Sequence, residues 1–182
     1  MNFDHFSAIA PIYARVTYSK AGLMREFASL PVAGRLLDVG GGTGRVASAI
    51  RDLADEVVIT DVSFGMLARA PRSTLLPVCG VSELLPFADD FFERIIMVDA
   101  LHHVIDQTAT IHEMFRVLKP GGVLVIEEPD IHDFGVKLIA LAEKLLLMRT
   151  HFLSPQAIAE LFNAGEKEIK TDGGTAWVIV KK

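Results

Sequence analysis

Short apolar runs return along the chain at residues 35–39, 56–60, 74–78, 94–99 and 122–127, each nearly continuous in Val, Ile and Leu rather than alternating with polar residues. Runs of this kind describe strands covered on both faces, the condition of a parallel sheet with helices on either side. Between them, apolar positions fall at helical spacing over 45–53, 64–70 and 108–118. The last of these runs into Lys119-Pro120-Gly121-Gly122, which stops a helix and lets a strand restart. Strand and helix alternate, which predicts a doubly wound α/β sheet. Right-handed crossovers then gather the C-terminal ends of the strands on one edge, and with them the first glycine-rich turn, Asp61, Ser82 and Asp99.

The alternation lapses after residue 127. Residues 134–148 form a strongly apolar stretch whose few charges are Lys137, Glu143 and Lys144. It reads as a helix packed on the sheet, a lid over a pocket, or the surface of a homodimer. Ser154-Pro155 supplies an N-cap and a first-turn proline for a helix ending near Gly165. Residues 168–171 and 176–180 then flank Asp172-Gly173-Gly174 as an antiparallel hairpin. Near the N-terminus, Phe6, Ile9 and Tyr13 share one helical face, a spacing that suits a buried helix and a closing lid alike.

The candidate chemistry centres on Leu37-Asp38-Val39-Gly40-Gly41-Gly42-Thr43-Gly44, where a strand breaks into glycines and leads into a helix. That order lets backbone N–H groups approach a ligand that no side chain could sit beside, which marks a cofactor site. The dinucleotide fingerprint needs a further glycine where the helix packs on the strand, and Arg45 occupies that position. With no Tyr-x-x-x-Lys element either, an NAD-dependent oxidoreductase becomes the weaker enzyme reading.

Composition narrows the partners. A chain of 182 residues with 51% hydrophobic content suits one domain with a substantial core. No apolar stretch approaches the length of a bilayer span, and Asp4 and His5 break a signal-peptide pattern, so a soluble, cytoplasmic protein without integral membrane association is expected. A net charge of −5 offers no general field for nucleic acid, which favours a small-molecule acceptor. Cys79 is the single cysteine and its neighbours Pro77 and Val78 suggest a core thiol. His132 and His151 with Glu127, Glu128 and Asp130 suggest a metal site, but no His-x-x-x-His or Cys pair supports one, and none is expected.

Six ordered segments carry a more specific resemblance: Phe3-Asp4 with Ala10-Pro11-Ile12-Tyr13, the stretch from Leu37 to Gly44, Thr60-Asp61-Val62-Ser63 with Met66-Leu67, Leu85-Pro86-Phe87, Leu101-His102-His103-Val104, and Arg116-Val117-Leu118-Lys119-Pro120-Gly121-Gly122. In these the chain resembles class I S-adenosylmethionine-dependent methyltransferases, in particular the type 11 group that includes the ubiquinone and menaquinone C-methyltransferases. The resemblance implies a Rossmann-like, mostly parallel seven-stranded sheet closed by a C-terminal antiparallel hairpin. It divides the chain into an N-terminal helical lid (1–30), a cofactor-binding core (35–130), an acceptor-side helix (131–153) and a final helix and hairpin (154–182). S-adenosylmethionine is then the cofactor. Its site would comprise Tyr13 as a closing residue, Asp38, Gly40, Gly41, Gly42 and Gly44 around the methionine end, Asp61 on the ribose, Val62 and Met66 flanking the adenine, and Val81, Ser82 and Asp99 along the pocket. If the acceptor needs a base, His102 and His103 are the first candidates.

One departure stands out. The family usually carries an Asp before Leu-Pro-Phe that accepts from the adenine amino group, whereas Gly80-Val81-Ser82-Glu83 has Val81 there. Together with the short segment after the fifth strand, this keeps open a cofactor-binding regulator or assembly partner beside the expected methyltransferase, which would methylate carbon or oxygen of a small, partly apolar acceptor.

Overall fold

The computed structural model describes residues 19–133 and 151–182. Helix α1 (Ala21–Phe27) leads into β1 (Val32–Val39), α2 (Arg45–Ala49), β2 (Ala54–Asp61), α3 (Phe64–Leu67), β3 (Leu76–Cys79), β4 (Phe92–Val98), α4 (Gln107–Val117) and β5 (Leu118–Pro129), followed by α5 (Pro155–Glu160), β6 (Glu166–Asp172) and β7 (Thr175–Lys181). The strands form one seven-stranded sheet in the order β3-β2-β1-β4-β5-β7-β6. Pairing is parallel from β3 through β5 and antiparallel for β5 with β7 and β7 with β6. This is the mostly parallel, doubly wound sheet with a terminal hairpin that the sequence predicts.

Alternate residues of each central strand feed opposite faces. Leu36, Val57, Ile59, Ile96, Val98, Val123, Val125 and Trp177 pack on α1 and α2 through Met24, Ala28, Val46 and Ala47. Leu37, Val39, Val58, Ile95, Met97, Leu124, Ile126 and Val178 pack on α4 and α5 through Ile111, Met114, Val117 and Ile158. Burial on both faces explains the unbroken apolar runs. Local chemistry fixes the helix starts: Asp106 accepts from Ala109 N–H at 2.9 Å and Ser154 from Ala157 N–H at 3.1 Å. Gly173 and Gly174, both at positive φ, make the two-residue turn between β6 and β7.

Several boundaries differ from the sequence reading. The helix expected over 45–53 is α2 plus a separate 3-10 turn at Arg51–Leu53, and α3 ends at Leu67 rather than Ala70. The hairpin strands are longer than expected, because every residue from Glu166 to Asp172 pairs with β7. Cys79 is exposed rather than a core thiol: β3 lies at the edge of the sheet, and the Cys79 thiol hydrogen-bonds the Val62 carbonyl at 3.7 Å. The apolar stretch at 134–148, and the segment holding Phe6, Ile9 and Tyr13, lie outside the described residues.

Trp177 ties the hairpin to α1. Its fully buried ring meets Phe27 edge-on at 5.4 Å, and its indole N–H donates to Glu127 Oε2 at 2.8 Å. Trp177→Phe keeps the aromatic body but removes a donor from a buried carboxylate, so it should cost about 1 to 3 kcal/mol in urea unfolding followed by circular dichroism. A variant as stable as the parent would show that this hydrogen bond contributes nothing net.

Candidate functional site

The turn after β1 is held from three directions. Gly41 N–H donates to the Thr60 carbonyl at 3.0 Å, Gly44 N–H to the Gly41 carbonyl at 2.8 Å, and Gly42 N–H to Asp61 Oδ2 at 3.0 Å. Gly40 sits at φ +71°, and a Cβ there would lie 2.6 Å from Cβ of Ala100, so the exits of β1 and β4 touch only because this position is glycine. Together these exits, the end of β2 and the segment after β3 enclose a pocket of about 290 Å³. It lies beyond the C-terminal ends of the parallel strands, where open α/β sheets bind their ligands.

Two acids face this pocket in different states. Asp38 is buried, and among the described residues its Oδ2 has no hydrogen-bond partner. Burial pushes its carboxyl from the ordinary 3.8 up to about 7, opposed by the Arg45 guanidinium and the Ala47 amide and reinforced slightly by Asp61. Asp61, half-buried, braces the backbone: Oδ1 accepts from Ser63 N–H at 2.7 Å and Oδ2 from Gly42 N–H at 3.0 Å. The second carboxylate therefore shapes the glycine turn from the wall of the pocket.

The remaining expected residues distribute unevenly. Gly40, Gly41, Gly42, Val62, Met66, Val81, Ser82 and Asp99 all line the pocket, whereas Gly44 packs behind it against Leu75. Met66 is buried while Val62 and Val81 are exposed, giving an apolar end to the cavity. The Ser82 hydroxyl lies 3.1 Å from Thr110 Oγ1 and 3.3 Å from Glu83 Oε2, so it is engaged with the protein. Asp99 stands at φ +52° and reaches Arg45 Nη2 at 3.4 Å; desolvation and the nearby Glu128 and Glu127 carboxylates raise its pKa. Tyr13 lies outside the described residues.

The structure separates the histidine pair. His103 lines the pocket, whereas His102 is buried, its Nδ1 2.5 Å from Glu128 Oε2 and its ring stacked on Phe152 at a centroid distance of 4.3 Å. Sequence reasoning missed two residues. It took Arg45 only as the residue that spoils a dinucleotide fingerprint, yet its guanidinium reaches Asp99 Oδ2 at 3.4 Å and its charge opposes the upward pKa shift that burial gives both Asp38 and Asp99. It weighed Glu128 only as a metal ligand, although a glutamate closing an apolar strand is itself a signal of a buried partner. Among the described residues no group of three His, Cys, Asp or Glu side chains is placed to hold a metal ion, and no helix is long and apolar enough to cross a membrane.

Comparison with known proteins accords with this geometry. Residues 37–126 match the family model of the methyltransferase domain. The chain is 39% identical over 105 residues to a ubiquinone/menaquinone biosynthesis C-methyltransferase of Coxiella burnetii, covering 52% of this chain and 42% of that protein. It is 34% identical over 125 residues to a demethylmenaquinone methyltransferase of Mycolicibacterium vanbaalenii, covering 69% and 54%. The chain thus spans about half the length of these curated relatives. Among solved structures, a S-adenosylmethionine-dependent methyltransferase of Thermotoga maritima superposes with a TM-score of 0.80 at 23% identity, over 97% of this chain and 98% of that one. A Pyrococcus horikoshii protein does so with a TM-score of 0.79 at 19% identity, over 99% of both. These two likenesses establish the fold.

The Asp38 environment has a consequence for stability. A carboxyl raised from 3.8 to about 7 contributes stability that is full below pH 3.8 and is lost as pH rises through 7. Asp38→Asn stays neutral throughout. The ligand-free variant should melt with the parent near pH 4 and above it at pH 8, as read by thermal scans across that range. Parallel pH profiles for the two proteins would contradict the assignment.

Proposed function

We propose, from the premise that this chain belongs to the methyltransferase domain family, that it transfers a methyl group from S-adenosylmethionine to carbon or oxygen of a small, partly apolar acceptor. The observation that carries this reading is a pocket in which a glycine turn is flanked by a buried carboxylate, one oxygen of which has no partner among the described residues, on one side and a second carboxylate at the end of the next strand on the other. S-adenosylmethionine supplies a methyl group already activated on a sulfonium sulfur. What this chain must do is hold both reactants and exclude water.

Asp38 Oδ2 offers an acceptor for the ammonium group of the cofactor's amino-acid end, which in turn favours the ionised carboxylate. Asp61, oriented by the Ser63 and Gly42 amides at the end of the next strand, is the carboxylate that would accept from the ribose hydroxyls. Val62, Met66 and Val81, which line the pocket, would wall the adenine. Holding acceptor and cofactor in line can supply roughly 7 to 11 kcal/mol of such a barrier, so a side-chain base is needed only where the acceptor carries a proton to remove. His103, in the pocket wall, is the residue positioned for it. The quinone relatives make an electron-rich aromatic ring the natural first acceptor to test.

Calorimetric titration with S-adenosylmethionine, S-adenosylhomocysteine and NAD is expected to show micromolar binding of the two sulfur ligands and none of NAD. Binding should strengthen between pH 6 and pH 8, and Asp38→Asn should abolish that dependence. Silence from both sulfur ligands would overturn the reading.

Asp61→Ala should weaken S-adenosylhomocysteine binding by about 1.5 to 3 kcal/mol, the range for hydrogen bonds to a charged group. An unchanged dissociation constant in the folded variant would remove Asp61 from the site. Val81→Asp places an acceptor at the adenine end and should tighten binding, unless a backbone group already serves there.

A further inference from the structure

The wall of the pocket that carries His103 and Asp99 is organised by a residue that does not line it. Glu128, near the end of β5, is buried, and Oε1 of its carboxylate accepts from two consecutive amides, Ala100 N–H at 2.9 Å and Leu101 N–H at 2.8 Å. Its Oε2 meets Nδ1 of His102 at 2.5 Å. Three donors from three successive residues of one turn thus converge on one carboxylate. The preceding residue, Asp99, donates its own N–H to the Glu127 carbonyl at 2.9 Å and stands at φ +52°. A non-glycine residue in that conformation persists when its surroundings over-determine it, and these hydrogen bonds from β5 do so.

We propose that Glu128 is a positioning residue for the acceptor wall. It fixes the exit of β4 so that Asp99 and His103 face the pocket, and it uses His102 as an internal strut rather than as a base. A carboxylate has only acceptors to offer, so the proton in this contact resides on His102 Nδ1. The imidazole is then clamped between Glu128 and Phe152 with His103 packed against it, ring centroids 4.0 Å apart. The strut reaches further: the His102 carbonyl accepts from His151 N–H at 2.8 Å, and Gln107 Nε2 joins the Leu101 carbonyl at 3.0 Å to the His151 carbonyl at 2.7 Å. The pocket wall and the chain entering α5 are therefore fastened to the same buried carboxylate.

The proposal rests on the methyltransferase reading only in naming this the acceptor wall, and its test needs no ligand, so the two can fail separately. In Glu128→Ala, amide exchange at Ala100 and Leu101 should accelerate by about tenfold or more while Ile95 to Val98 stay protected, as measured by NMR. Glu128→Gln is the conservative rescue and the safeguard if alanine prevents folding. Its amide oxygen can still accept from both backbone amides, restoring their protection. Its NH2 must then face His102, forcing the proton from Nδ1 to Nε2. Nitrogen-15 histidine spectra should show that tautomer change at His102 and none at His112 or His132. Unchanged exchange at Ala100 and Leu101 in the alanine variant, or a glutamine variant whose His102 keeps its proton on Nδ1, would overturn the proposal.

Discussion

The contact on which the site depends is the approach of Gly40 to Ala100. It brings the exit of β1, which carries the glycine turn, against the exit of β4, which carries Asp99 and His103, at a distance no side chain at position 40 could allow. The two strands are hydrogen-bonded neighbours in register from Leu36 opposite Arg94 to Val39 opposite Met97, so their ends emerge level with each other. The end of β2 and the segment after β3 complete the walls of the pocket, and its floor follows from two loops leaving a parallel pair side by side. One must stay thin enough for backbone amides to be its surface.

That edge of the sheet concentrates carboxylates at a cost that each meets differently. Asp61 is answered by two backbone amides and Glu128 by two amides and an imidazole. Glu127 is answered by the Trp177 indole and, at 3.7 Å, by the Lys20 ammonium. Asp38 is the exception, buried with one oxygen unpartnered among the described residues. A buried, under-satisfied acid destabilises the ionised fold, and such groups are retained where a ligand completes them. A cation bound beside Asp38 would favour its ionised form and offset part of the stability lost as the pH rises.

The alternation of strand and helix, the glycine turn and the closing hairpin were legible because each rests on local rules: unbroken apolar runs, glycine at positive φ, and turn residues between strands. What was not legible depended on neighbours distant in sequence. Residues 74–78 read as a buried strand, but β3 is at the edge, so Leu76 and Cys79 are exposed although their run resembles those of the interior. His102 and His103 are consecutive in one 3-10 turn, and only the position of Glu128 on another strand decides which of them turns inward. Asp38 and Asp61 were placed by their strand ends, but their contrasting environments, one desolvated and one hydrogen-bonded to backbone, arise from packing that spacing does not encode.

The same contrast bears on Val81, which stands where the family resemblance leads one to expect an acid. Polar recognition is loaded onto one end, through Asp38, the glycine turn and Asp61, while the other end is built from Val62, Met66 and Val81. The nearest hydroxyl, on Ser82, is drawn toward Thr110 and Glu83, and Glu83 in turn accepts from the Ile105 and Asp106 amides at 3.1 and 3.3 Å. Those bonds anchor the segment after β3 to the start of α4, so the side chains at this end of the pocket offer mainly apolar area. On the methyltransferase reading, the side chains that could give directional recognition, Asp38 and Asp61, therefore lie at the amino-acid and ribose end, and the opposite end would contribute chiefly by burial.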